Sequence, residues 1–145
     1  MTRDPDLQQI GEVAERVGLS LRTVRYYEEM GLVTPSARSD GGFRLYSEDD
    51  VQRLFVVKRM KPLGLSLDEM AKLLEALERS ARPDELDANE LSDVTRSLAE
   101  YAERSDDRIA TLEHELAEAR TLRLRLSERL GRCEEALARV GTARR

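Results

Sequence analysis

Residues 10–29 read IGEVAERVGLSLRTVRYYEE, and this run decides the fold. Val13, Ala14 and Val17 form one face of a first short helix. Gly18 follows where the chain must reverse, and the turn calls for a backbone angle that Gly adopts without cost. Leu19 plugs the corner. Ser20 can cap a second helix by accepting a bond from a free backbone N–H. Val24 and Tyr27, three residues apart, point back at the first helix. Ala14 fits because two steeply crossing helices leave little room for a side chain. Arg22, Thr23, Arg25 and Tyr26 are then left on the outer face of the second helix. Together with the capping Ser20, they are the set a recognition helix presents to a DNA major groove.

The next segment adds a wing. Gly31 to Pro35 ends the second helix, with Gly as stop and Pro as a barrier to restart. Asp40-Gly41-Gly42 signals a hairpin turn, followed by the strand-like Phe43-Arg44-Leu45-Tyr46. Alternation puts Phe43 and Leu45 on a packing face, and Arg44 and Tyr46 on a face open to solvent or phosphate. Arg38, Arg44 and Tyr46 are therefore expected to clamp the DNA backbone. Ser47 then opens a helix through Val51, Leu54, Phe55 and Lys58. Ser66 with Glu69 forms a capping box ahead of Met70, Leu73, Leu74 and Leu77.

At this point three motifs stand in order: RTVRYYEEMGLVTPSAR over 22–38, GGFRLYSEDDVQRL over 41–54 and LGLSLDEM over 63–70. In these the chain resembles the winged-helix DNA-binding domain of the MerR family of bacterial transcription regulators, over roughly Leu7 to Glu78. The fold class expected is mainly α. A winged helix-turn-helix head with a short β-hairpin wing occupies 7–80, a long dimerisation helix 84–140, and a short tail 141–145.

Composition sets bounds. The chain has 145 residues, no Trp and 37% charged residues, which suits one small domain plus an extension. No apolar run approaches membrane-spanning length. The polar, acidic start is not a signal peptide. A single Cys excludes an intramolecular disulfide and fits a reducing cytoplasm. The formal net charge of −5 does not oppose DNA binding, because the field a phosphate feels is local. Arg16, Arg22, Arg25, Arg38, Arg44, Arg53, Lys58, Arg59 and Lys61 outnumber the acids between 16 and 61. A narrow basic face with steep salt dependence is expected.

After Pro83 the text changes to Ala, Glu, Leu and Arg, with Asp84 or Asp87 as the start signal. Leu91, Val94, Leu98 and Tyr101, then Ile109, Leu112, Leu116 and Ala119, then Leu126, Leu130, Cys133 and Leu137 recur at spacings of three and four. This is an apolar seam of coiled-coil type. The polar stretch Glu103 to Arg108, Arg123 on the seam and Gly131 are the weak points of the helix, and its continuity beyond about residue 120 stays open. At ~1.5 Å per residue, such a helix reaches about 75 Å and outruns a small head, so it needs a partner helix. The resemblance implies that the partner is a second subunit, in an antiparallel coiled coil. Leu91, Val94, Leu98, Tyr101, Ile109, Leu112, Leu116 and Ala119 then carry the homodimer. A helical hairpin folding back within one chain is the competing arrangement.

The expected partners are double-stranded DNA, a second copy and, at a promoter, RNA polymerase, with no membrane. Cys133 and His114 are too few for a metal site within a subunit, so no cofactor is expected and the effector stays open. Phosphate-binding loops, zinc-peptidase motifs and nucleophile elbows are absent, against an enzyme. The reading is a dimeric, sequence-specific transcription regulator that binds a near-palindromic promoter operator and distorts it. An architectural or recombination-associated DNA protein with the same head is the alternative.

Overall fold

Each long helix begins at a residue able to cap it, and the computed structural model, which describes residues 6–145, shows those caps in place. Ser20 accepts a bond from the Thr23 amide at the head of α2, Leu21–Glu29. Ser47 and Asp50 form a reciprocal capping box at α3, Glu48–Met60. Ser66 and Glu69 do the same at α4, Leu67–Ser80. Asp87 and Glu90 exchange bonds of 3.0 and 2.9 Å at the start of α5, Ala88–Ala143. Each box satisfies backbone N–H groups that a helix end otherwise leaves open.

Ahead of these lie β1, Gln8–Gln9, and α1, Ile10–Val17. The wing consists of β2, Ala37–Arg38, and β3, Arg44–Tyr46. The sheet order is β1-β3-β2, all antiparallel, with Gln8 opposite Tyr46 and Arg38 opposite Arg44. The strand before α1 has no signal in the sequence. At two residues it is too short to show any alternation.

The structure falls into two units, divided after Arg104. In the first, Val13, Val17, Val24, Leu32, Val33, Tyr46, Val51, Leu54 and Val57 are fully buried and join one core with Tyr27, Met60, Met70, Leu73 and Leu74. The first turns of α5 belong to this unit. Tyr101 is part of the core, Leu98 packs against it, and Val94 is buried. Tyr101 donates to the Glu69 carbonyl at 3.2 Å. Arg104 grips the Glu69 carboxylate with both nitrogens, at 3.0 and 3.3 Å. That charge holds Glu69 below the ordinary carboxylate range.

This corrects part of the dimer assignment. Val94, Leu98 and Tyr101 are covered by their own chain, because the apolar periodicity of a helix says which face is covered and not by what. Leu91, in contrast, is 41% exposed.

The second unit, 105–145, is helical to Ala143. The weak points at Glu103 to Arg108, at Arg123 and at Gly131 do not interrupt it. Exposed charged side chains fit a helix at little cost, and one Gly costs only about 1 kcal/mol.

Candidate nucleic-acid interface

The turn between α1 and α2 is set by a left-handed Gly18, φ 74°. Its amide and that of Leu19 both bond the Ala14 carbonyl, at 2.9 and 3.0 Å. Lys58 of α3 reaches over and donates to the Val17 carbonyl at 2.7 Å, placing a cation at the negative end of α1. A Cβ on Gly18 would stand 2.8 Å from that ammonium. The left-handed backbone angle is what requires Gly here, since the ammonium at the end of the flexible Lys58 side chain can shift aside.

Beyond the turn, α2 buries Val24 and Tyr27 and turns Arg22, Arg25 and Tyr26 outward. Ser20 stays at the surface, and its hydroxyl shares a 2.8 Å bond with that of the half-buried Thr23. Tyr26 is 45% exposed. Arg22, Arg25, Tyr26 and Glu29 line a shallow open hollow of about 400 Å³. Neither Arg22 nor Arg25 has an ion pair or side-chain hydrogen bond among the described residues. Two guanidiniums one turn apart, both free, can fork onto guanine edges or phosphates without first breaking an internal bond.

The wing differs from expectation. Phe43 is 69% exposed, while Tyr46 has no exposed surface at all, so Tyr46 is a core residue and not a DNA contact. The parity of the strand is the reverse of that expected. Arg44 and Tyr46 share a face, and that face turns towards α2, where the Glu28 carboxylate waits. Tyr46 donates to Glu28 at 3.4 Å and Arg44 forms an ion pair with it. Arg38 stands 3.7 Å from Glu28 and donates to the Gly42 carbonyl at 3.0 Å. Burial, then the Glu28 charge, push the Tyr46 phenol up to about 12. Arg44 is thus half-buried and already paired, whereas Arg38 remains exposed at the wing surface.

Glu28 is the residue that sequence reasoning missed. It sits on the recognition helix and holds three side chains of the wing. Its pattern in the sequence, an acid beside another acid, carries no sign of a half-buried pairing.

Other cations of the basic set are also committed. Arg16 pairs with Glu48 at 2.8 Å, holding that carboxyl down at about 2 with help from Gln52. Arg53 pairs with Glu78 and donates to the Leu32 carbonyl. Arg59 and Lys61, at the end of α3, are exposed and unpaired among the described residues. Of the basic set, Arg22, Arg25, Arg59 and Lys61 are therefore the exposed cations left unpaired among the described residues, while Arg38 is exposed but hydrogen-bonded within the wing.

Known proteins agree with this geometry. The family described as "MerR HTH family regulatory protein" matches residues 9–77. The mercuric resistance operon regulatory protein of Bacillus cereus is 36% identical over 108 residues, covering 74% of this chain and 79% of that one. The HTH-type transcriptional regulator YfmP of Bacillus subtilis is 33% identical over 142 residues, or 91% of this chain and 96% of the relative. In fold, the chain is similar to a MerR family transcriptional regulator structure from Listeria monocytogenes, with a TM-score of 0.59 and 22% identity over 95% of this chain and 99% of that one. With its helix-turn-helix, its wing and its long final helix, the chain belongs to the MerR family of DNA-binding transcription regulators.

Proposed function

We propose that this regulator acts as a homodimer on a near-palindromic promoter operator, one head per half-site, and that it distorts the DNA between them so that RNA polymerase can engage. The observation that carries the DNA reading is the free pair Arg22 and Arg25 on the outer face of α2. Ser20 and Thr23 set the first turn of that helix, Tyr26 adds a phenol to the same face, and Arg38 positions the wing edge.

The dimer reading rests on α5. Beyond the first unit, Ile109, Leu116, Leu126, Leu130 and Leu137 are 48–71% exposed and recur along one row with Leu112 and Ala119. A row of this length is a seam awaiting a helix. Two-fold symmetry follows from pairing two identical helices, and it calls for a symmetric operator. Bending such a site costs about 1–6 kcal/mol, offset by contacts from two heads.

The Bacillus cereus relative is named for mercuric resistance, but this chain has one cysteine, exposed Cys133. We therefore assign it no mercury ligand set. Recovering genomic fragments bound by the purified protein, and mapping them against promoter elements, tests the function. Fragments lying between promoter elements, with a two-fold symmetric consensus, are the expected result. Binding scattered without regard to promoters favours the architectural alternative.

A further inference from the structure

Glu28 stands where two effects disfavour it. It lies in the last turn of α2, which carries no basic residue there, and an acid at that end opposes the helix dipole. It also sits on the proposed DNA-reading helix, where phosphates repel an unpaired carboxylate. Its side chain is only 14% exposed, so water does little to offset either effect. What holds it there are its partners Arg44, Arg38 and Tyr46, all on the wing. Among the described residues, every side-chain hydrogen bond or ion pair between α2 and the wing ends on this one carboxylate.

The two elements it joins serve different ends. The outer face of α2 presents guanidiniums suited to base edges, whereas a wing that grips phosphate positions the head without reading sequence. The spacing between grip and reader decides whether Arg22 and Arg25 meet base edges once the wing is seated. Glu28 fixes that spacing from inside the head.

Charge is the second consequence. The Nε of half-buried Arg44 is itself buried and makes no hydrogen bond, only the ion pair with Glu28. Arg38 is held more loosely, at 3.7 Å, and stays exposed. One carboxylate thus withholds one guanidinium from phosphate and leaves another at the wing surface. A cation on phosphate strengthens binding to every sequence alike.

Resting on the reading of α2 as the DNA-reading face, we propose that Glu28 is the positioning residue that sets sequence discrimination. It seats the wing on α2 at the spacing the operator needs and keeps Arg44 out of the phosphate contacts. Without its charge, Arg44 is buried and unpaired, which is costly, so the guanidinium turns out towards phosphate. The wing then grips DNA more strongly, and the base-reading helix is no longer in register with that grip.

The test uses the full chain, an operator fragment recovered by the genomic selection above, and a random-sequence duplex of the same length. Circular dichroism follows the melting of each variant. Glu28→Gln keeps the length of the side chain and an acceptor for Tyr46, and removes the charge. Operator affinity should fall at least about tenfold, while affinity for the random duplex holds or rises. On the random duplex, the slope of log affinity against log salt should steepen by about one per head. Damage to the fold would lower both affinities together and would not steepen the slope. A second measurement does not depend on how well Glu28→Gln folds: Arg44→Gln alone should leave the slope of the unchanged protein as it is. In the Glu28→Gln/Arg44→Gln protein the slope should return to that same value. An unchanged protein that binds the recovered fragment no better than the random duplex defeats the operator reading itself. The role of Glu28 alone is overturned, and the operator reading left standing, by any of three results: a folded Glu28→Gln protein that loses both affinities together, one whose slope is unchanged, or an Arg44→Gln protein whose slope is shallower by about one per head.

Discussion

Single residues divide here into those that face DNA and those that hold the facing ones in place. Arg22 and Arg25 are free, so truncating either to Ala removes a DNA contact and little else. Specific operator binding should fall by about 1–3 kcal/mol in each, with an unchanged melting temperature; equal affinity in gel-shift titrations of both would exclude them. Tyr46 and Glu28 belong to the second group. The Tyr46 phenol is pushed up to about 12, above the ordinary value of about 10. Stability gained from keeping it neutral is complete below the ordinary value and is lost as pH rises through the folded one. Tyrosinate absorbance should therefore show two phenols titrating late, because burial also raises Tyr101, with the later step, that of Tyr46, coinciding with loss of helical signal at alkaline pH. Tyr46→Phe should remove that late step.

At the scale of elements, much was legible because local chemistry decided it. Ser20, Ser47 and Ser66 are caps whose partners lie three residues on, and a spacing of three can be read from text. Gly18 could be read too, since a helix, a Gly and a second helix admit few backbone paths. A Gly18→Ala protein should lose about 1–2 kcal/mol from the left-handed angle; denaturant unfolding measures it. What could not be read depended on pairs distant in the chain. A three-residue strand offers no statistical parity, so nothing local told whether Phe43 or Tyr46 pointed inward. The answer came from Glu28, 18 residues away from Tyr46. The seam was likewise visible as a periodic face, yet its first turns are covered by the same chain and its later turns are bare. Covered and bare stretches have the same sequence pattern.

For the whole molecule, the bare stretch is where assembly is decided. Leu112→Glu with Leu116→Glu puts charge on the proposed seam without touching the core of the first unit. Burying those charges unpaired is costly, so the variant should sediment as a monomer with a folded head. Operator affinity should then fall far more than one head's contacts explain, because a tethered second head binds at the high local concentration set by the first. A variant that stays dimeric rules out this seam.

The internal commitment of Arg16, Arg44, Arg53 and Lys58 has a consequence in the ions that DNA sheds. Each phosphate neutralised by the protein releases condensed counterions, and only cations free to reach the backbone do this. Arg22, Arg25, Arg59 and Lys61 are free and Arg38 is exposed at the wing, which sets a slope of log affinity against log salt of about −4 to −5 per head. All nine cations of the basic set, acting together, would give about twice that. Binding isotherms at several salt concentrations would then count, from the solvent side, how many charges the fold has kept for itself.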